Sequence, residues 1–104
     1  MGKHEVIFLK EALDDLEEIV AYIARDNPAA AWRMHDKIVQ YAEDLSFFPE
    51  MGHLPRYAKM RKAGYRMLIV KPYILFYKKT GDNIFIYHVI HGKRNWKRIL
   101  SEEA

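Results

Sequence analysis

The chain has 104 residues, with 17 Lys/Arg, 14 Asp/Glu and no Cys. That length suits one domain, taken as 1–104, and is too short for two ordinary ones. The lack of Cys excludes disulfides, thiolate metal ligands and Cys nucleophiles. The net charge of +3 conceals a polarity along the chain. Residues 1–55 carry 5 Lys/Arg against 11 Asp/Glu, a balance of −6, whereas residues 56–98 carry 12 against Asp82 alone, a balance of +11. Such a division focuses positive potential on part of a compact body and attracts polyanions or acidic protein segments. The plain alternative is the solvated surface of an ordinary basic protein.

Residues 6–9 form the first apolar run, which suits a strand buried on both faces. The run is shorter than a signal-peptide core and far short of the roughly 20 residues of a membrane span, so a cytoplasmic protein is expected. Leu13, Leu16, Val20 and Ile23 then recur at helical spacing, with Glu11, Asp14 and Asp15 in the first turns, where acids favour a helix N-terminus. Arg25 and Asp26 close this helix. Asn27-Pro28 opens the next, Asn27 as N-cap and Pro28 with the preset φ of a first helical residue. Ala31, His35, Ile38, Ala42 and Leu45 make its apolar stripe. So short a connection predicts antiparallel neighbouring helices.

Pro49 and Gly52 stop the helical pattern, and residues 48–64 read as a long, cation-rich loop with room for one helical turn. Loops of this length are often functional. Three strands follow, at 65–70, 73–79 and 84–91. Thr80-Gly81-Asp82 is a hairpin signal, and the short links require antiparallel neighbours. Trp96, Ile99 and Leu100 dock the tail. The expected fold is α+β, ordered β-α-α-β-β-β. An N-terminal helical hairpin packs on one face of a small, mainly antiparallel sheet, and the other face stays partly open as a basic, aromatic surface.

The residues suited to chemistry lie in the basic half. His91, grouped by strand alternation with Phe85, Tyr87 and Val89 and followed by Lys93 and Arg94, could serve as general acid or base on RNA. It could equally be a hydrogen-bonded His that fixes the turn at Gly92. His88, grouped with Ile84, Ile86 and Ile90, and His35 read as structural. Arg66 could hold a phosphate or carboxylate bidentately. Arg56 and Arg61 would add contacts from the loop, and Lys93 and Arg94 from the end of the last strand. Tyr57, Tyr65, Tyr73, Tyr77 and Tyr87 could stack on bases or complete the sheet core. The histidines show no ligand spacing, so neither a metal nor another cofactor is expected.

Taken together, Asn27-Pro28, Pro49-Glu50-Met51-Gly52, Pro55-Arg56, Tyr65-Arg66, 73–77 and 88–94 resemble the RelE/ParE superfamily of bacterial toxins, and more closely its ParE or plasmid-stabilisation branch. The resemblance covers nearly the whole chain. It implies a growth-inhibiting toxin of a type II toxin–antitoxin system, held inactive by a cognate antitoxin and meeting operator DNA only through it. On the ParE side it implies a non-hydrolytic inhibitor of DNA gyrase. On the RelE side it implies an endoribonuclease that cleaves mRNA in the ribosome, with His91, Arg66 and Tyr87 as catalytic residues. In either case Arg56, Arg61, Arg66, Lys93 and Arg94 would bind the target or the antitoxin. A third reading is a non-toxic basic binding protein on the same scaffold.

Overall fold

The computed structural model describes residues 3–103. Met1 and Gly2, which open the stretch read above for a targeting signal, lie outside the described residues, as does Ala104. Strand β1 (Glu5–Phe8) leads directly into helix α1 (Lys10–Ala24), which buries Ala12, Leu16 and Ile19. Asn27 then caps α2 (Pro28–Asp44), its Oδ1 accepting the Ala30 N–H at 3.0 Å, and Pro28 occupies the first turn. That bond satisfies one of the amides that every helix N-terminus leaves orphaned. Helix α2 buries Ala31, Ile38 and Ala42.

The loop expected over 48–64 contains a short helix, α3 (Ala58–Lys62), with Met60 fully buried beneath it. Strands β2 (Arg66–Val70), β3 (Tyr73–Thr80) and β4 (Asn83–His91) follow, and the tail forms α4 (Trp96–Glu103). Gly81 has φ 60° at the first central position of the β3–β4 turn, where type II′ hairpins place glycine. The strands lie in the order β1-β4-β3-β2. The β2–β3 and β3–β4 pairs are antiparallel, while β1 runs parallel to β4. β1 was expected to be buried on both faces. It is an edge strand, and its residues remain partly or fully exposed.

Two apolar clusters hold the layers. On one face Leu16, Ile19, Ile38, Ala42 and Leu45 meet Leu68, Leu75, Tyr77, Ile84 and Ile86. On the other, Met60 and Leu100 pack on Tyr65, Ile74, Phe76 and Ile90, with Trp96 set against Phe76 at a ring distance of 5.3 Å. This second cluster corrects the expectation of an open basic face. Phe76 and Ile90 are too apolar to leave in water, and α3 and α4 supply the apolar side chains that cover them.

A β-bulge in β4 also changes which side chains share a face. Tyr77 pairs with Ile86 and Phe76 with His88, so Tyr87 is the extra residue. Strict alternation groups Ile90 with Ile84 and Ile86. The bulge instead puts Ile84, Ile86 and Val89 on the α1–α2 side and Ile90 on the α3–α4 side.

Candidate functional site

A cleft of about 680 Å³ opens where β4 ends, between α1 and the β2–β3 turn. Ile19, Ile23, Met34, Tyr73 and Val89 make its apolar walls, and Asp15, Glu18, His91 and Arg94 add charged or titratable groups. The turn after β4 is tied down from both sides. Gly92 N–H donates to Pro72 O at 2.9 Å, and Arg94 N–H donates to His91 O at 3.0 Å. Lys93 N–H donates to His91 Nδ1 at 3.1 Å, so that nitrogen carries no proton and the neutral ring is protonated on Nε2. The His91 ring meets Tyr73 edge-on at 5.5 Å. Burial, with a smaller contribution from Tyr22, pushes the Tyr73 hydroxyl above its ordinary pKa and keeps it protonated at neutral pH. His91 thus has the turn-fixing contacts anticipated for it, while Lys93 and Arg94 stay exposed beside it.

Asp15 anchors α1 to the bulged strand. Its Oδ2 accepts the Val89 N–H at 2.9 Å and lies 2.9 Å from His88 Nδ1, with His88 nearly buried. In the sequence Asp15 is marked only as an acid in the first turns of a helix. Nothing local marks it as the partner of a residue 73 positions away.

Arg66 lies at the other end of the sheet. It pairs with Tyr77, whereas His91 pairs with Tyr73, a separation of roughly 13 Å along β3. Its Nη1 donates to Gly52 O at 2.8 Å and to Glu50 O at 3.4 Å. Beside it the buried Tyr77 hydroxyl donates to Pro49 O at 2.9 Å and accepts the Gly52 N–H at 3.0 Å. Gly52 is required by this close approach, because a Cβ there would sit 2.7 Å from the Tyr77 hydroxyl oxygen. Arg66 therefore clamps the loop after α2 to the sheet.

Tyr87 stands apart from both. It packs edge-on against Tyr65 at 5.4 Å, and Lys78 Nζ caps the two rings at 4.4 Å from Tyr65 and 4.8 Å from Tyr87. Arg61 donates to the carbonyls of Pro55 and Arg56 at 2.9 and 3.0 Å, which shapes the approach to α3. Arg56 itself is exposed. The fold gathers His91, Lys93 and Arg94 at one sheet end and places Arg66, Tyr87 and the Arg56–Arg61 loop elsewhere. No group of three or more His, Asp or Glu among the described residues is arranged to hold a metal ion, and no described helix is long and apolar enough to cross a membrane.

Residues 6–96 match the family model described as the ParE toxin of the type II toxin–antitoxin system parDE. The protein named "Putative toxin Y4kP" from Sinorhizobium fredii is 31% identical over 100 residues, covering 96% of this chain and 100% of its own. Toxin RelE2 from Caulobacter vibrioides is 31% identical over 90 residues, covering 86% of this chain and 97% of its own. A chain of the chromosomal ParDE system from P. aeruginosa superposes with TM-score 0.71 at 19% identity, covering 88% of this chain and 98% of that one. A chain of the toxin–antitoxin complex RelBE2 from Mycobacterium tuberculosis gives TM-score 0.64 at 24% identity, covering 88% and 93%.

Proposed function

Because the chain belongs to the ParE toxin family of type II toxin–antitoxin systems, we propose that it arrests growth by binding and inhibiting DNA gyrase and that a cognate antitoxin neutralises it. The observation that carries the gyrase reading is the separation of Arg66, Tyr87 and His91. Phosphodiester cleavage needs an acid–base group and charge-stabilising donors converging on one phosphate. Here Arg66 holds loop carbonyls, Tyr87 lies under Lys78 on the α3–α4 side, and His91 fixes a turn beside the α1 cleft. That arrangement favours a protein that acts by binding. The antitoxin follows from the two-component systems that share the fold, and it would engage the exposed cations Arg56, Lys93 and Arg94.

Purified protein added to gyrase should block supercoiling or trap cleaved DNA while leaving mRNA on translating ribosomes intact. Codon-positioned mRNA cleavage with unaffected gyrase would refute this reading. The identity to RelE2 favours a ribosome-dependent endoribonuclease as the second reading. On that reading, Arg66→Ala and His91→Ala should abolish cleavage in folded protein.

A further inference from the structure

The sheet order leaves β1 with a neighbouring strand on one side only, that of β4. Glu5 N–H donates to Asp82 O at 3.0 Å and Leu9 N–H donates to Ile86 O at 3.0 Å. By the alternation of a strand, Glu5, Ile7 and Leu9 therefore turn their backbone groups to β4, and His4, Val6 and Phe8 turn theirs away. His4 is covered on that outer side. Its N–H donates to Ser46 O at 2.8 Å, and Ser46 Oγ donates to His4 O at 2.6 Å. Among the described residues no such partner meets the outward N–H and C=O groups of Val6 and Phe8. The side chains of these two pack towards the α1–α2 cluster. Ile7 points to the opposite face beside its ladder partner Phe85, and neither belongs to the cluster that α3 and α4 cover. Both stay half-buried.

We infer that two copies of the chain pair through β1, antiparallel across a twofold axis at Ile7, to make one continuous sheet. The spacing of the bare groups selects this occupant. Val6 and Phe8 lie symmetrically about Ile7, so the axis sets Val6 of each copy opposite Phe8 of the other. Both are outward-facing residues, and such a pair exchanges both of its backbone bonds, so every bare group on the edge finds a partner. The two Ile7 residues then form the central non-hydrogen-bonded pair, whose side chains approach most closely, with Phe85 flanking each of them. The same register sets Lys3 of one copy opposite Glu11 of the other and Glu5 opposite Leu9, so no like charges meet. The strand carries none of the prolines, bulges or inward charges that blunt an edge, but its four residues make a small contact and hence a concentration-dependent one. β1 pairs with Asn83–Ile86 only, so the assembly carries two free His91–Arg94 ends and can engage a target with repeated sites through avidity.

The test is sedimentation equilibrium and amide hydrogen exchange on the purified full-length protein, without an N-terminal tag, from about 1 μM to about 1 mM. The mass should rise towards that of two chains, and the Val6 and Phe8 amides should gain protection in step with it. The Ile7 amide, already bonded to β4, should be protected at every concentration and serves as the internal standard. Ile7→Lys sets two ammonium groups across the axis in place of an apolar pair and should raise the dissociation constant about tenfold. Ile69→Lys, at an exposed position on the opposite edge strand β2, should associate as the wild type does. A melting curve shows whether each variant folds, and if Ile7→Lys does not, exchange in the wild type decides alone. A single-chain mass throughout the range overturns the inference. So does association that leaves Val6 and Phe8 exchanging freely, or a folded Ile7→Lys that associates as tightly as the wild type. Protection of Val6 and Phe8 that comes only with the product of an adjacent reading frame also overturns it, and assigns the edge to that partner.

Discussion

Replacing Tyr77 by Phe would keep the ring that fills the α1–α2 side of the core and remove only its hydroxyl. That oxygen donates to Pro49 O at 2.9 Å and accepts the Gly52 N–H at 3.0 Å, beneath a side chain with no exposure. Gly52 is buried, so its amide would find no water and would cost about 1–3 kcal/mol unpaired. Pro49 is half-buried, and water can restore part of its bond, which leaves a loss of about 1 kcal/mol. The sum is about 3 kcal/mol, or a Tm lower by roughly 10–20 °C for a chain of this size. Urea unfolding followed by circular dichroism should show a lower midpoint with an unchanged slope. Alkaline pH provides a second reading of the same bond. Burial raises the Tyr77 pKa above the ordinary 10.0, with the Gly52 amide and then Arg66 pulling the other way. A group raised in the folded state contributes its full stability below the unfolded value and loses it as pH climbs through the folded value. Wild-type stability should therefore fall above about pH 10, and that of Tyr77→Phe should fall less steeply, with Tyr73 keeping part of the slope. A loss below about 0.5 kcal/mol, together with an unchanged alkaline slope, would show that the clamp contributes nothing.

Three further outcomes follow from the same contacts. Asp15→Ala strips the Val89 amide and His88 Nδ1 of a shared acceptor and should cost about 2–4 kcal/mol in urea unfolding; a loss under 1 kcal/mol would mean that water substitutes for the carboxylate. Gly52→Ala places a Cβ 2.7 Å from the Tyr77 hydroxyl oxygen and 2.9 Å from Met67 O, so it should destabilise by about 2 kcal/mol. Its effect should be partly reduced in a Tyr77→Phe background, because the hydroxyl oxygen is gone while the ring carbon at 2.8 Å and Met67 O remain, and a double-mutant cycle measures that coupling. Leu100→Ala opens a cavity between α4 and the sheet and should cost about 2–4 kcal/mol, with faster hydrogen exchange at Ile74 and Ile90 as the local readout.

Local chemistry made several elements legible. Asn27-Pro28 marked the start of α2, because a capping side chain and a preset φ act within three residues. Thr80-Gly81-Asp82 marked the hairpin for a similar reason. The candidate site was harder to read. His91, Lys93 and Arg94 are neighbours in the chain and remain neighbours in the fold, but Arg66 and Tyr87 were grouped with them through an assumed regular sheet. Asp15 and the Gly52–Tyr77 approach escaped notice, since each depends on a partner far along the chain.

By itself the sequence determined the element types, the capped helical hairpin and the acidic and basic halves of the chain. Periodicity, caps and charge are properties of adjacent residues, so they are present before any contact forms. Tertiary structure decided which side chains share a face and which face stays open. The bulge at Tyr87 exists only once β3 and β4 are paired, and it shifts the alternation of every residue after it. The apolar residues of α3 and α4 found their partners only when the sheet presented Phe76 and Ile90. Burying those two side chains outweighed leaving a basic face bare, so the exposed cations came to lie around the sheet and on the elements that cover it.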